Sequence, residues 1–76
     1  MLAERPTDPI AIRAHLRESE HAARRLIMRA AHLEKLARRP RAGAAERLSL
    51  NARATELRAD AEALRTEISE LSRRVA

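Results

Sequence analysis

Apolar residues recur along this chain at alternating spacings of four and three residues, in two separate stretches. The first stretch has this spacing at Ile12, Leu16, Ser19, Ala23, Leu26, Ala30, Leu33 and Ala37. The second has it at Leu50, Ala54, Leu57, Ala61, Leu64, Ile68, Leu71 and Val75. This spacing places one apolar stripe along an α-helix, where it can pack against a partner helix. No segment alternates with a period of two, so the sequence predicts an all-α protein.

The two apolar stripes match each other when the chain folds back about Gly43. Antiparallel pairing in which the position numbers sum to 87 places Ala30 on Leu57 and Leu33 on Ala54. The same register gives three further layers, which are Ala37 with Leu50, Leu26 with Ala61 and Ala23 with Leu64. Each layer combines one large and one small residue, which is the interdigitation that a packed core requires. We therefore expect an antiparallel coiled-coil hairpin over residues 9–75.

The start of the first helix is predicted from its capping residues. Residues 1–8 are expected to form an N-terminal arm. Thr7 and Asp8 are both candidates to cap the first free amides of the helix, and Pro9 suits the first helical position. No glycine or proline follows before position 40, so helix 1 should run from about residue 9 to residue 39.

The turn is predicted from its proline and glycine. Pro40 should end helix 1, and Gly43 should supply a flexible turn residue. The connection of residues 40–43 is so short that the next helix must run antiparallel to the first. Helix 2 should begin at about Ala44 and run to about residue 75.

The size and composition of the chain favour association with another helical surface. Its 76 residues include no aromatic residue and no cysteine, so the core is thin and no disulfide can reinforce it. Leaving a large apolar side chain in water forfeits about 1.5–3 kcal/mol of burial free energy. We expect helix 1 to self-associate into a four-helix bundle, a dimer being the simplest form, or into a larger assembly. The apolar residues of helix 1 that lie outside its stripe are the candidates for this interface: Ala22, Ile27, Met28 and Leu36. The alternative is that arginine stems and the loop cover this surface, or that Met28 is simply exposed.

The charge of the chain is concentrated in its first half. The net charge is +5, and residues 1–43 hold ten basic and five acidic residues, whereas residues 44–76 hold six of each. The candidates for contact with an acidic protein partner or with nucleic acid are Arg17, Arg24, Arg25, Arg38, Arg39 and Arg41. Phosphate contacts from such residues are independent of base sequence, and no aromatic residue is present to stack on a base. A solvated basic face is the alternative interpretation.

The hairpin register also predicts two interhelical ion pairs. Arg29 should approach Asp60, and Glu20 should approach Arg65. Exposed ion pairs of this kind contribute about 0–1 kcal/mol and mainly favour one register over others.

No constellation for catalysis stands out in the sequence. The chain has no cysteine, no tyrosine, no glycine-rich phosphate loop and no H-E-x-x-H motif. His15, His21 and His32 are six and eleven residues apart, so neighbouring histidines do not share one helical face as metal ligands would. We expect a non-enzymatic protein with no cofactor, no metal site and no small-molecule substrate. We also expect a cytoplasmic protein without a membrane segment, because no apolar run approaches about 18 residues and the N-terminus does not resemble a signal peptide.

The layout of residues 9–75 resembles two kinds of small helical hairpin. One is the Rop type of plasmid copy control, a dimeric four-helix bundle that binds RNA. The other is the oligomerisation hairpin of phage-type small terminase subunits, which gather DNA for packaging. Both resemblances are architectural. The RNA contacts of the Rop type include an aromatic residue, which this chain lacks, so that activity does not carry over.

Three functional hypotheses follow. The favoured one is a small interaction or assembly module that meets a protein partner through helix 1 and the arginine-rich turn. The first alternative is a nucleic-acid-binding accessory protein of phage or plasmid type. The second is a small inhibitor or adaptor that docks on a larger complex.

Overall fold

The protein is an antiparallel pair of long helices. A computed structural model describes residues 8–75, with side chains for residues 8–74, and within them α1 spans Pro9–Ala37 and α2 spans Ala44–Val75. The helices pack along their length into a slab of 51 × 26 × 15 Å. The prediction of an all-α helical hairpin is confirmed. Residues 1–7 of the predicted N-terminal arm lie outside the described residues.

The first helix begins where a side-chain cap and a proline meet. Asp8 has extended backbone geometry, and its carboxylate accepts a hydrogen bond from the Ala11 amide at 3.4 Å. Its carbonyl oxygen accepts the first helical hydrogen bond from Ile12 at 2.9 Å, and Pro9 occupies the first helical position. Of the two predicted capping residues, Asp8 therefore caps α1. Thr7 lies outside the described residues.

The first helix ends at Ala37, two residues earlier than the expected end at Arg39. The reason is the proline that follows, because the ring of Pro40 disfavours helical geometry at the residue before it. The Arg38 amide still bonds to the carbonyl oxygens of Glu34 and Lys35 at 3.2 Å each, which closes the last turn. Arg38 is thus the C-cap of α1, and Arg39 belongs to the turn rather than to the helix.

Gly43 is the N-cap of α2. Its carbonyl oxygen accepts the first helical hydrogen bond from the Arg47 amide at 2.9 Å. None of the described residues has a positive φ, so the turn does not depend on the conformational freedom of glycine at this position. A Cβ atom added to Gly43 would meet nothing within 4 Å. The residue is therefore replaceable, and Glu46 already occupies the third helical position, where a capping box places an acidic side chain.

Replacing Gly43 with serine should raise the free energy of unfolding by about 0.5–1 kcal/mol. The hydroxyl can accept from a free amide of the first turn, and the unfolded chain loses the extra freedom of glycine. Gly43→Ala is the matched control, because it stiffens the chain equally without adding a cap. Chemical denaturation should rank the serine variant above the alanine variant, and equal stabilities would show that residue 43 is not the N-cap.

The core follows the two predicted stripes. Every described side chain on them is buried or half-buried, and the fully buried residues of the core are Ala23, Ala30, Ala37, Ala54, Leu57 and Ala61. The central cluster joins Ala30, Ala54 and Leu57, with Leu26 and Leu33 packed against it. This cluster contains both members of two predicted layers, Ala30 with Leu57 and Leu33 with Ala54, and so agrees with the register that sums to 87.

The hairpin by itself covers its large apolar side chains incompletely. Leu57 is the one large residue in the described core that is fully buried, at 2% exposure. The remaining leucines and isoleucines of the stripes are only half-buried, because two helices leave both flanks of their contact open to water. The buried surface is therefore supplied largely by alanine, which contributes little hydrophobic free energy for each residue.

Candidate interaction surfaces

The hairpin presents two broad faces, one on each side of the contact between the helices. In an antiparallel pair, the residues flanking the stripe on one side of α1 lie beside the corresponding flank of α2. Glu34 and Arg58 are on the same face, because they form an ion pair across the helix contact. Glu20, Arg24 and Arg65 are on this face as well, since they line one groove between the helices.

The ion pair between Glu34 and Arg58 is bidentate. Nε of Arg58 donates to Oε2 of Glu34 at 3.0 Å, and Nη2 donates to Oε1 at 2.6 Å. The Glu34 side chain is 34% exposed and that of Arg58 is 46% exposed, so water screens the pair considerably. The hydrogen bonds from Arg58 hold the pKa of Glu34 below its ordinary value and raise the pKa of Arg58.

The two predicted interhelical ion pairs are not observed. Within residues 8–75, neither Arg29 with Asp60 nor Glu20 with Arg65 approaches to the 4.0 Å of a salt bridge. The prediction was wrong in its partners, although Glu34 and Arg58 occupy the same flank as Glu20 and Arg65. The reason is that a flanking residue lies between two residues of the other helix, and side-chain reach decides which of them it meets.

The Glu34 pair should make stability depend on pH in one direction. Because folding lowers the pKa of Glu34, the pair stabilises the fold above the carboxyl's unfolded pKa, near 4.5, and this contribution is lost as pH falls through the lowered folded value. Glu34→Gln should therefore lower the melting temperature at pH 7, and the difference from the unaltered protein should narrow below pH 4.5. Glu62→Gln is the control, since Glu62 makes no salt bridge within the described residues. A difference in melting temperature between Glu34→Gln and the unaltered protein that stays the same at all pH values would contradict the expectation.

We call the face that carries the Glu34 and Arg58 pair the basic face. Within the two helices it holds five arginines against three glutamates, a net of +2: Arg13, Arg17, Arg24, Arg58 and Arg65, with Glu20, Glu34 and Glu62. All of these side chains are exposed except that of Glu34, which is half-buried. Apart from Arg58, none of these arginines has a described carboxylate within 4.0 Å.

We call the opposite broad face the acidic face. It holds six acidic residues against four arginines, a net of −2: Glu18, Glu46, Glu56, Asp60, Glu67 and Glu70, with Arg25, Arg29, Arg53 and Arg74. The salt bridge between Arg53 and Glu56, at 2.9 Å within α2, lies on this face. The two broad faces of the hairpin therefore carry opposite net charges, +2 on the basic face and −2 on the acidic face.

A groove opens between the helices on the basic face. Its volume is about 340 Å³, and its lining is Glu20, Ala23, Arg24, Arg65, Ile68 and Ser69. Ala23 and Ile68 supply the apolar part of this lining. Arg24 lines it from α1 and Arg65 from α2, so the fold brings together arginines that are far apart in the sequence.

The four residues expected to form the association surface do not form one patch. Ile27 and Leu36 are nine residues apart, which places them on opposite sides of α1 at 100° for each residue. Ile27 lies on the basic face, whereas Ala22 and Leu36 lie on the acidic face, and all three are half-buried. Met28 lies on the outer edge of α1, facing away from α2, and is 71% exposed.

The six arginines expected to make charged contacts also divide among three places. Arg17 and Arg24 lie on the basic face, and Arg25 lies on the acidic face. The remaining three surround the turn and are exposed: Arg38, Arg39 and Arg41. The candidate set is thus spread over both faces and the turn rather than forming one continuous stripe.

Sequence reasoning missed several members of these surfaces. Ile10 and Leu48 are 75% and 73% exposed, and both lie on the basic face, because Ile10 is seven residues before Arg17 and Leu48 is fourteen residues before Glu62. Their positions outside the apolar stripes were the signal that could have found them. Arg58 and Arg65 were not candidates because they lie in the half of the chain with no net charge, and the folded hairpin places them beside Arg24.

The chemistry of the described residues is that of a surface rather than a pocket. Residues 8–75 contain no group of three or more histidine and acidic side chains placed to hold a metal ion. In the same part of the chain, neither helix is long and apolar enough to cross a membrane.

The chain matches none of the protein-family models, curated proteins or solved structures with which it was compared.

Proposed function

We propose that this hairpin is a non-enzymatic assembly module, which associates with further copies of itself and binds a protein partner through α1 and the arginine-rich turn. Its place of action in this proposal is the cytoplasm. The observation that carries the proposal is the incomplete burial of the apolar stripes, in which Leu57 is the one large side chain of the described core that is fully covered.

The energetics favour a partner surface. A domain of this size has a free energy of unfolding of only a few kcal/mol, and an alanine-rich core supplies little of it. Covering the half-buried flanks with a second helical surface recovers hydrophobic free energy that the lone hairpin forfeits. Ile27, Leu36 and Ala22 extend the apolar stripes onto both faces, so each face offers apolar area beside its charges.

The test of self-association is the solution mass of the protein with and without Ile27→Glu. Light scattering at micromolar concentration should give an oligomer for the unaltered protein and a smaller species for the variant, because a carboxylate in the interface is desolvated without a partner. Helix content at high protein concentration should change little. Ala59→Glu is the control, because Ala59 is exposed on the outer edge of α2. An unaltered protein that is monomeric at all concentrations would refute self-association.

A second candidate function is that of a nucleic-acid-binding accessory protein of phage or plasmid type. The basic face and the adjoining exposed Arg38, Arg39 and Arg41 favour it, because arginines without carboxylate partners can neutralise phosphates. It predicts affinity for generic duplex DNA or RNA that falls steeply as salt rises. If no binding is measured at low salt, the nucleic-acid hypothesis is wrong, and the hypothesis of a protein partner is kept.

A further inference from the structure

We propose that copies of the hairpin stack front to back, with the basic face of one copy on the acidic face of the next. The inference rests on the self-association proposed above and names its geometry. It follows from the two faces having opposite net charge, +2 and −2, and from each carrying half-buried apolar side chains beside its charges.

The charges favour contact between unlike faces. Two basic faces or two acidic faces brought together would juxtapose like net charges, which costs free energy and selects against that arrangement. A basic face on an acidic face instead opposes net charges of +2 and −2, with the carboxylate excess of the acidic face carried by α2. The same complementarity is available at every successive interface, because each added copy presents one free face of each kind.

The spacing of the charges on α2 supports this geometry. Arg58 and Arg65 lie seven residues apart on the basic face, and Asp60 and Glu67 lie seven residues apart on the acidic face. Seven residues are about 10.5 Å along a helix. If α2 of one copy lies parallel on α2 of the next with an offset of two residues, about 3 Å, both arginines meet carboxylates together. Arg58 uses Nε and Nη2 to hold Glu34, which leaves its Nη1 free to donate.

The apolar residues give an independent reason for unlike contacts. Ile27 lies on the basic face, and Ala22 and Leu36 lie on the acidic face. A symmetric dimer through the basic face would cover Ile27 and leave Leu36 in contact with water. One through the acidic face would do the reverse. Front-to-back stacking covers both, because every copy inside the assembly uses both of its faces. Such an interface is heterologous, so it produces closed rings or open chains of more than two copies.

The experiment uses two double variants of the full chain that reverse one face each. Arg24→Glu with Arg65→Glu turns the basic face from +2 to −2, and Asp60→Arg with Glu67→Arg turns the acidic face from −2 to +2. Lys35→Glu with Arg73→Glu is the matched control, because it changes the charge by the same amount at the outer edges. Circular dichroism checks that each variant is helical, and light scattering in low salt measures the mass of each alone and of mixtures.

We expect the unaltered protein and the control to form species larger than a dimer, each face variant alone to be monomeric, and an equimolar mixture of the two face variants to recover the oligomer. Recovery occurs because the mixture restores unlike faces at every interface. A dimer of the unaltered protein that only one face variant disrupts, without recovery on mixing, would overturn the stacking while upholding self-association. An oligomer that neither face variant disrupts would overturn the stacking as well. A monomeric unaltered protein would overturn both proposals.

Discussion

Replacing Leu57 with alanine is expected to lower the free energy of unfolding by about 2–5 kcal/mol, the range for removing a buried leucine from a packed core. Leu57 is 2% exposed and stands in the central cluster with Ala30 and Ala54. Ala30 and Ala54 beside it are too short to fill the vacated space. Because a domain of this size is stable by only a few kcal/mol, most of the helical signal should disappear at room temperature.

Leu48→Ala is the matched control for this prediction. It is the same substitution in the same helix, but Leu48 is 73% exposed, so its stability should change by no more than about 0.5 kcal/mol. Both variants should be compared by urea unfolding at one fixed protein concentration, because association adds to the apparent stability. If Leu57→Ala melted like Leu48→Ala, the register in which Leu57 faces Ala30 would be wrong.

Enlarging Ala30 to leucine is expected to destabilise the hairpin by about 1–3 kcal/mol, although leucine is a good helix former. Ala30 is 0% exposed and packs with Leu57, so the added methyl groups have no space without moving one helix away from the other. Such movement would also uncover Leu26 and Leu33, which pack against the same cluster. The expected observation is a lower melting temperature at unchanged helix content before the transition.

Ala14→Leu serves as the control because Ala14 is exposed and lies fourteen residues before Met28, on the outer edge of α1 away from both faces. The two variants have the same composition, so helix propensity and net hydrophobicity cancel in the comparison. Ala14→Leu should change the free energy of unfolding by no more than about 0.5 kcal/mol, so its melting temperature should stay close to that of the unaltered protein. Equal behaviour of the two variants would mean that α1 is rotated from the orientation in which Ala30 faces α2.

The helical hairpin and its core could be predicted from the sequence because the information is local and periodic. Alternating spacings of four and three fix which side of each helix is apolar, and Pro40 and Gly43 mark where the chain turns. The pairing of large with small residues then selects one register. The end of α1 was misplaced by two residues because Pro40 constrains Arg39 as well as itself.

The candidate surfaces were less predictable because they depend on distances across the helix contact. No ion pair was predicted for Arg58, yet it holds Glu34 by two hydrogen bonds. The expected partners Arg29 with Asp60 and Glu20 with Arg65 lie on the correct flanks but do not meet. A register fixes which flanks face each other, whereas the conformations of long side chains decide which atoms come within hydrogen-bonding distance.

The sequence by itself determined that the chain forms two amphipathic helices, where they turn, and which residues make their shared core, since each of these follows from the period of one helix and the chemistry of its ends. The tertiary structure alone decided how charge and exposed apolar residues are distributed in space. Antiparallel packing joins Arg65 to Arg24 on one face and leaves Leu36 and Ile27 on opposite faces. The charge difference between the two faces is therefore not the charge difference between the two halves of the sequence, because each face is built from flanks of both helices.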